Sequence, residues 1–495
     1  MPFFEEKKDI LELQFDRPNV NFLVDEQSEA IKLYKLIKRL DFSEFYKRYT
    51  DKGAVAYRPE VMFAIVILSA IEGVLSSRAI ENRCKRDVYY IYFTEYRKPD
   101  HSTIARFLKK FRKEIYGLLP QLISLAKQNN LSTFETIAID GSKFQSKSSK
   151  KHSMRMQELE KENEIVISKI KQIISIIEEN DRKEDKDDKE QKKLQAEKKK
   201  LEDRQKKLEQ SKLELAKRQE AIREKEKREN HQINIEETDA RMMKEINSNG
   251  YNIQLAVDVE TQIIVNVSVE SDRSDNHQFS KQHQRTEEIL GGQDKQRQYL
   301  ADGGYISSET IDYVEEKSLD AYINDSREKM IIPSVEELLK RGKNITTEYF
   351  IYSKEDKQYI CPNHRSLKEV KTGIYQSEDC KGCLIKDLCA RKKNLRTIKR
   401  TDFTERKELM RQKIKQSPEK MNLRKAVERV FGNIKWNLGF IRFTRKGFEG
   451  ASIEITVIVL ALNIKKLWNK FSLFLRTFFL INPKYNPYLI LDFTY

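Results

Sequence analysis

Apolar residues in the first quarter of the chain recur at helical period. Val61–Ile71 is almost wholly apolar, and weaker helical patterns follow at residues 75–86 and 88–96. These patterns predict an all-α domain over residues 1–130. Its first segment, residues 1–25, is expected to be a short extended arm.

A second pattern begins after this domain, with β-branched and alternating apolar residues that are typical of strands. The predicted strands are Thr136–Lys143, Gly250–Asp258, Ile263–Ser271 and Tyr299–Tyr305. A helical pattern at Asp275–Leu290 follows the strand Ile263–Ser271, and another at Ser307–Lys317 follows the strand Tyr299–Tyr305. This order predicts an α/β core with a mixed sheet flanked by helices. The apolar run Thr456–Leu462 is expected to form a buried helix that completes this core.

A basic helix is predicted within Lys98–Ile115. Asp100 or Ser102 can cap its first turn, and its apolar residues form one stripe. Its cations are Arg106, Lys109, Lys110, Arg112 and Lys113. A short capped helix of this charge, after a turn from another helix, is typical of a DNA-contacting helix-turn-helix element. The alternative is a surface helix of a basic protein.

A long charged segment at residues 154–234 interrupts the core. Leucine, valine or isoleucine recurs every seven residues before and after a polar break at Glu178–Glu190. The break predicts a helical hairpin that turns near Asp181–Asp188, although the shared heptad phase also fits a single long helix. Either form suits an inserted coiled-coil arm for dimerisation or for holding DNA.

The charge balance indicates the kind of partner. Lys and Arg number 94 against 78 Asp and Glu, a formal excess of 16 positive charges, which favours a polyanionic partner, above all nucleic acid. Charge alone does not separate DNA from RNA or from an acidic membrane. The N-terminus opens acidic and lacks the apolar segment of a secretory signal. The run Thr456–Leu462 is too short to span a bilayer. We therefore expect a soluble, cytoplasmic protein with no membrane partner.

Four of the five cysteines cluster in a segment of about thirty residues. They are Cys361, Cys380, Cys383 and Cys389. The Cys-x2-Cys pair has zinc-knuckle spacing, and the other two complete a tetrahedral thiolate site, in which His364 could replace one sulfur. This pattern predicts a structural Zn²⁺ site. Reduced free thiols are the alternative, and a redox switch is a more distant one.

An amphipathic helix is predicted at Arg424–Trp436. Its apolar stripe comprises Leu423, Val427, Val430, Phe431 and Ile434. Arg424, Glu428 and Lys435 lie within roughly 40° of one another on an adjacent face. That face fits either an exposed i,i+4 ion-pair ladder or one wall of a site for a metal ion and phosphates.

Two further carboxylates favour the second interpretation. Asp140 and Asp302 each end a predicted strand and each precede a glycine, which allows a ligand to approach closely. Together with Glu428 they form a set without histidine or thiolate, which suits Mg²⁺ or Mn²⁺. Two such ions could clamp the oxygens of an in-line phosphoryl transfer, while Arg424 and Lys435 neutralise phosphates.

The order of these motifs resembles that of bacterial insertion-sequence DDE transposases, within the IS4/IS5-like group and most closely the IS1182 type. The resemblance covers about residues 20 to 470. The motifs are PDHSTIARF, DGSK, GYNIQLAVD, ADGGY, the four-cysteine segment and Arg-x3-Glu-x6-Lys. Their joint order is more specific than any one of them.

The resemblance implies an RNase H-like catalytic core whose DDE triad is Asp140, Asp302 and Glu428. Arg424 and Lys435 then belong to a Tyr-Arg-Glu-Lys signature, in which Met421 stands at the tyrosine position. The domains expected in order are a helical DNA-binding domain (1–130), the first part of the core (131–153 and 235–325) around the charged hairpin (154–234), a zinc-binding insertion (326–420), the end of the core (421–470) and a tail (471–495).

The implied function is transposition. Water activated between Asp140 and Asp302 would cleave DNA at the terminal inverted repeats, with Glu428 holding a second ion, and the 3′-hydroxyl would attack target DNA. The implied partners are double-stranded DNA and further copies of the chain, as a homodimer or larger synaptic complex at the bacterial nucleoid. The alternatives are an RNase H-like nuclease without strand transfer and an inactive DNA-binding derivative, which Met421 mildly favours.

Overall fold

The computed structural model describes residues 23–481, except residue 26 and residues 51–54, 182–187, 221, 223, 225–228, 292–296, 325–332 and 392–393. Most of the predicted N-terminal arm, the hairpin turn and much of the predicted tail lie outside the described residues.

Helices make up most of the described part of the first 130 residues. They are α1 (Glu29–Ile37), α2 (Ser43–Tyr46), α3 (Pro59–Ile71), α4 (Ser77–Arg86), α5 (Val88–Phe93), α6 (His101–Lys110) and α7 (Arg112–Gln128). Helix α3 is apolar all round and its residues from Val61 to Ala70 are buried, as expected of a central helix.

The predicted basic helix is divided into α6 and α7. The Asp100 carboxylate caps α6 by accepting a hydrogen bond from the backbone N–H of Thr103 (2.6 Å). Phe111 then leaves helical geometry, with φ −102° and ψ 23°, and its ring packs against those of Phe45 and Phe107 at 5.3 and 5.2 Å between centroids. The prediction that all five cations share one helix is therefore wrong, because Arg112 and Lys113 begin α7.

A mixed sheet forms the α/β core, as predicted. The first eight strands along the chain are β1 (Thr136–Gln145), β2 (Ser153–Met154), β3 (Ile233–Asn234), β4 (Arg241–Met243), β5 (Ser248–Asp258), β6 (Ile264–Glu270), β7 (Gln298–Ala301) and β8 (Asp320–Ile323). Strands β2 and β3 pair with each other, and the other six form the core sheet. Their order is β4-β5-β1-β7-β8, with β6 also paired to β5. Strand β1 runs antiparallel to β5 and parallel to β7, which is parallel to β8.

Nine more helices complete the described chain. They are α8 (Met156–Asp181), α9 (Asp188–Glu220), α10 (Phe279–Leu290), α11 (Ser308–Glu316), α12 (Val335–Arg341), α13 (Lys386–Cys389), α14 (Asp402–Gln416), α15 (Glu419–Gly432) and α16 (Gly447–Ile481).

Helix α16 joins the N-terminal helices to the core sheet. It packs on α3 and α7 on one side and on β6 on the other. The buried Asn463 amide bonds both backbone groups of Ile264, accepting from N–H (2.9 Å) and donating to C=O (2.7 Å), so it satisfies the backbone of β6 at that point. By length and composition Gly447–Lys470 could cross a membrane, but 72% of its apolar window is buried inside the protein. This burial is that of a core helix.

Helices α8 and α9 pack against each other along the charged segment. Glu160 pairs with Lys212 (2.9 Å) and Glu162 with Arg204 (3.4 Å), which is the antiparallel direction. Buried leucine and valine side chains line the seam. This packing is that of two helices side by side and excludes one continuous helix.

A second, antiparallel sheet lies in the cysteine-containing insertion. Its strands are β9 (Ile351–Ser353), β10 (Gln358–Ile360), β11 (Ser366–Lys371), β12 (Ile374–Ser377) and β13 (Thr397–Lys399), in the order β13-β12-β11-β10-β9. Arg400 connects it to α14, since its guanidinium lies 3.7 Å from the centre of the Tyr352 ring and donates to Glu408 at 2.6 Å. Lys413 of α14 in turn donates to Asp320 of β8 (2.7 Å), which ties the insertion to the core.

Candidate active site

The register of two parallel strands places Asp140 and Asp302 side by side. The pairing of β1 with β7 ends at Ala138 and Leu300, and each aspartate lies two residues further along its strand direction. Neighbouring strands are about 4.8 Å apart. Asp140 was predicted to end its strand, but β1 continues to Gln145 as a partner of β5. The sheet therefore splits between β1 and β7 at the level of the two aspartates.

The backbone after Asp302 turns sharply. Its carboxylate accepts a hydrogen bond from the N–H of Gly304 (2.8 Å) and caps a single 3₁₀ turn at Gly303–Tyr305. The buried Tyr305 hydroxyl donates to Gln254 on β5. The strand that was predicted to reach Tyr305 therefore ends at Ala301, and Asp302 is held directly after its last residue.

Helix α15 packs over this split. Val427, Val430 and Phe431 are buried, and the rings of Phe431 and Phe144 lie 6.2 Å apart between centroids. Leu423 was predicted to belong to the same buried stripe, but it is 41% exposed.

The polar face of α15 reaches the strand that carries Asp140. Nη1 of Arg424 lies 3.7 Å from Oδ2 of Asp140, and Nη2 donates a hydrogen bond to Glu428 one turn later. The Glu428 side chain is 47% exposed, whereas those of Arg424 and Asp140 are largely buried. Met421 lies half-buried against the core, in the first turn of the same helix.

Lys435 follows α15 in a turn of π-helix, Asn433–Asn437. Its Nζ donates to the Ser142 hydroxyl (2.7 Å) and lies 4.8 Å from the centre of the Phe144 ring. Burial lowers the pKa of Lys435, and the nearby Asp140 charge opposes that effect. Because Ser142 lies two residues after Asp140, both side chains point to the face of the sheet that α15 covers.

Burial and the neighbouring carboxylates both act on Asp140. Burial raises the pKa of Asp140 to about 7, and the negative charges of Asp302 and Asp275 add to this increase. Arg424 and the N–H of Gly141 act in the opposite direction. A buried group of like charges is typical of sites that bind a cation.

Asp275 is a member of this group that the sequence did not single out. It was placed at the start of a helix, but α10 begins only at Phe279, and Asp275 lies in the preceding loop. Its Oδ1 accepts hydrogen bonds from Asn252 (2.7 Å) and Gln254 (2.6 Å). The one available indication in the sequence was its position just after a core strand.

The donors at this site are carboxylate oxygens, which fit the hard cations Mg²⁺ and Mn²⁺. Within the described residues, however, no three His, Cys, Asp or Glu side chains form a group that could hold a metal ion. The type of donor atom therefore matches Mg²⁺ or Mn²⁺, whereas the positions of the side chains do not by themselves form a metal site.

Two family models match the chain. A model described as a transposase domain (DUF772) matches residues 21–110, and one described as a transposase DDE domain matches residues 353–468. The chain belongs to the insertion-sequence DDE transposases. Searches of curated proteins and of solved structures gave no match.

The family establishes the kind of reaction. A DDE transposase is an enzyme that acts on DNA by metal-dependent phosphoryl transfer, with a divalent cation such as Mg²⁺. The second matched stretch contains Arg424, Glu428 and Lys435, whereas Asp140 and Asp302 lie outside both stretches. The predicted family, function and enzyme class are thereby confirmed.

The four clustered cysteines of the transposase are all free thiols in the structure. Burial raises the pKa of Cys389 to about 11, and the charges of the other three cysteines add to this effect, so the four are neighbours. Yet no group that could hold a metal ion is found among the described residues. The predicted Zn²⁺ site therefore has no support from the geometry of the thiols.

The predicted DNA-contacting cations of the transposase fall into two groups. Arg106, Lys109, Lys110 and Lys113 are exposed, and three of them border a surface cleft of about 770 Å³ beside α6. Arg112 instead donates to Glu449 of α16 at 2.7 Å. The first group is available to phosphates, whereas Arg112 joins two parts of the protein.

Proposed function

We propose that Asp140, Asp302 and Glu428 are the catalytic triad of this transposase, on an RNase H-like core. The observation that carries the proposal is the register of β1 and β7, which sets the two aspartates side by side beneath the helix that bears Glu428. The sheet also supports it, because an antiparallel pair, β5 and β6, lies beside three parallel strands.

The transposase would cleave DNA at the terminal inverted repeats and join the 3′ ends to target DNA. A divalent cation bound by the triad would stabilise the charge that develops on the scissile phosphate. Arg424, which bridges Asp140 and Glu428, would bind a phosphate oxygen with its planar guanidinium. Lys435, fixed by Ser142 and the Phe144 ring, would hold a second positive charge near Asp140.

The test of the triad is strand cleavage on a duplex that carries the terminal repeat. Asp140→Ala should abolish nicking and leave binding to that duplex nearly intact. Glu260→Gln, which changes an exposed carboxylate in the turn between β5 and β6, is the matched control and should cleave normally. An Asp140→Ala protein that still nicks would refute the assignment.

Strand transfer is tested separately. Pre-cleaved ends incubated with a plasmid should yield joined products, whereas a nuclease without strand transfer would leave them unjoined. We also propose a dimer or larger complex at the nucleoid, since two ends of the element must be cut together. Light scattering with and without terminal-repeat DNA measures that stoichiometry, and a monomer in both states would contradict it.

We further propose that the cysteine segment binds Zn²⁺, with a structural role. Two features support this: the backbone N–H of Arg365 donates to Sγ of Cys361 (3.2 Å), and the Arg365 guanidinium donates to carbonyls on both sides of Cys380. A backbone N–H that donates to sulfur stabilises a thiolate, and the guanidinium holds the backbone on either side of Cys380. Purified protein should contain about one Zn²⁺ per chain by atomic emission, and Cys380→Ser should lose it. Protein without zinc that folds normally would indicate free thiols.

A further inference from the structure

Asp275 lies on the opposite face of β1 from the side chain of Asp140. Successive residues of a strand point to opposite faces, so Gly141 and Lys143 face away from α15. A Cβ added at Gly141 would lie 2.5 Å from Oδ1 of Asp275 and 2.2 Å from Nε2 of Gln254. Glycine at this position thus makes room for the Asp275 carboxylate against the strand, immediately beside Asp140.

The second glycine of the site points to the same carboxylate. A Cβ added at Gly304 would lie 2.9 Å from Oδ1 of Asp302 and 3.5 Å from Oδ2 of Asp275. These two oxygens therefore border the same small volume. The Asp302 oxygen comes from a turn and the Asp275 oxygen from a loop that is distant in the sequence. The volume lies at the split between β1 and β7.

The two oxygens of Asp275 have different surroundings. Oδ1 accepts hydrogen bonds from Asn252 and Gln254 and lies 3.2 Å from Nζ of Lys143. Oδ2 accepts a hydrogen bond from Nζ of Lys143 at 3.3 Å. One oxygen is thus anchored by two amides, while the other lies beside Gly304, in the turn that Asp302 caps.

A buried acceptor completes the cluster. Asn252 is fully buried, its Nδ2 donates to Asp275, and its Oδ1 has no hydrogen-bond partner among the described residues. That oxygen would lie 3.0 Å from a Cβ at Gly141. A buried acceptor without a donor is costly, and it adds another oxygen that faces the same carboxylates.

We propose that Asp275 is a fourth carboxylate of the cation site, which supports divalent-ion binding from the face opposite Glu428. The proposal rests on the proposed roles of Asp140 and Asp302. Asp275 adds negative charge to the site and presents Oδ2 beside Asp302, while the amides of Asn252 and Gln254 fix its position. Lys143 competes with the ion for the same carboxylate.

The experiment is titration of full-length, metal-free transposase with Mn²⁺ alone, followed by electron paramagnetic resonance of the free ion. Asp140→Ala is the reference variant, which should lose Mn²⁺ binding at the proposed site. Asp275→Asn should weaken Mn²⁺ binding by about 10- to 100-fold, as changes around metal ligands commonly do. Lys143→Gln should tighten it. Asp272→Asn, an exposed carboxylate three residues earlier, is the control and should bind as the parent does.

Two results would overturn the proposal. Parental Mn²⁺ affinity in Asp275→Asn, where Asp140→Ala has lost binding, would refute the role of Asp275 and leave the triad standing. Parental affinity in Asp140→Ala would refute the triad and the fourth carboxylate together. If Asp275→Asn fails to fold because Lys143 is left unpaired, the double variant Asp275→Asn/Lys143→Gln is compared with Lys143→Gln and should show the same weakening.

Discussion

Nη1 of Arg424 lies 3.7 Å from Oδ2 of Asp140, so a helix late in the chain supplies a cation to the first core strand. The same guanidinium donates to Glu428. An exposed i,i+4 ladder would leave this arginine in solvent, but its side chain is only 16% exposed. Of the two interpretations that the sequence left open for this face, the structure favours a wall of a polar site.

The first prediction concerns Arg424. Arg424→Gln should reduce terminal-repeat cleavage by about 100-fold, since loss of one preorganised donor to a developing charge typically has that effect. Arg424→Lys should recover part of this loss, because lysine keeps the charge but cannot bridge two carboxylates in one plane. Single-turnover cleavage rates at saturating Mg²⁺ measure both variants.

Arg429→Gln is the control for this prediction. Arg429 is an exposed cation on the same helix, so its removal changes the net charge equally without touching Asp140. Equal losses in Arg424→Gln and Arg429→Gln would mean that only the overall charge matters.

The second prediction concerns stability and pH. The pKa of Asp140 is about 7 in the folded chain, against its usual value of 3.8. As pH rises from about 4 to 7, the unfolded chain loses this proton first, so the folded state loses stability and the loss is complete above pH 7. Asp140→Asn cannot ionise and should be more stable than the parent at pH 8.

The expected gain in the free energy of unfolding is a few kcal/mol, since one pKa unit corresponds to about 1.4 kcal/mol. Urea unfolding in EDTA at pH 4 and pH 8 measures it, and the two proteins should converge at the lower pH. Mg²⁺ should remove the advantage at pH 8 by stabilising the parent. A gain of equal size at both pH values would mean that the charge of Asp140 is not its origin.

Local patterns were sufficient to predict four of the six strands of the core sheet. Strand β1 begins at Thr136 as predicted, because apolar residues alternate there, and β5 and β6 differ from prediction by one or two residues. The second sheet was missed. Its strands have three to six residues and mixed polarity, so they carry too few repeats to show a period.

Contacts between distant segments were not predictable. Phe111 continues an apolar stripe in the sequence, but its ring packs with Phe45 and Phe107 and the helix breaks there. Asp275 precedes a helical pattern, yet its partners Asn252 and Gln254 lie on another strand. One-dimensional periodicity gives the face of a residue and not the partner that it meets.

The third prediction concerns DNA binding by the basic helix. Lys109→Gln removes an exposed cation of α6 and should lower the slope of log affinity against log salt concentration by about 0.9 if it contacts one phosphate. Arg112→Gln should leave the slope unchanged, because Arg112 is already paired with Glu449. Fluorescence anisotropy with a terminal-repeat duplex between about 50 and 200 mM salt measures both.

Equal slopes for Lys109→Gln and the parent would favour the alternative, a surface helix without DNA contacts. Lys151→Gln, a matched exposed lysine outside the helical domain, controls for net charge and should behave as the parent does.

The fourth prediction compares two glycines with opposite surroundings. Gly141→Ala should destabilise the protein, because its Cβ would come within 2.5 Å of Asp275 and closer still to Gln254. Gly117→Ala should stabilise it by about 0.5–1 kcal/mol, since Gly117 lies inside α7, no atom of the described residues lies within 4 Å of an added Cβ, and alanine is the better helix former. Thermal unfolding in EDTA measures both, and Mn²⁺ binding should fall in Gly141→Ala alone. In Gly141→Ala the added methyl group displaces the Asp275 carboxylate from the strand. If this variant is stable and binds Mn²⁺ normally, the position of Asp275 against the strand has no role in stability or in ion binding.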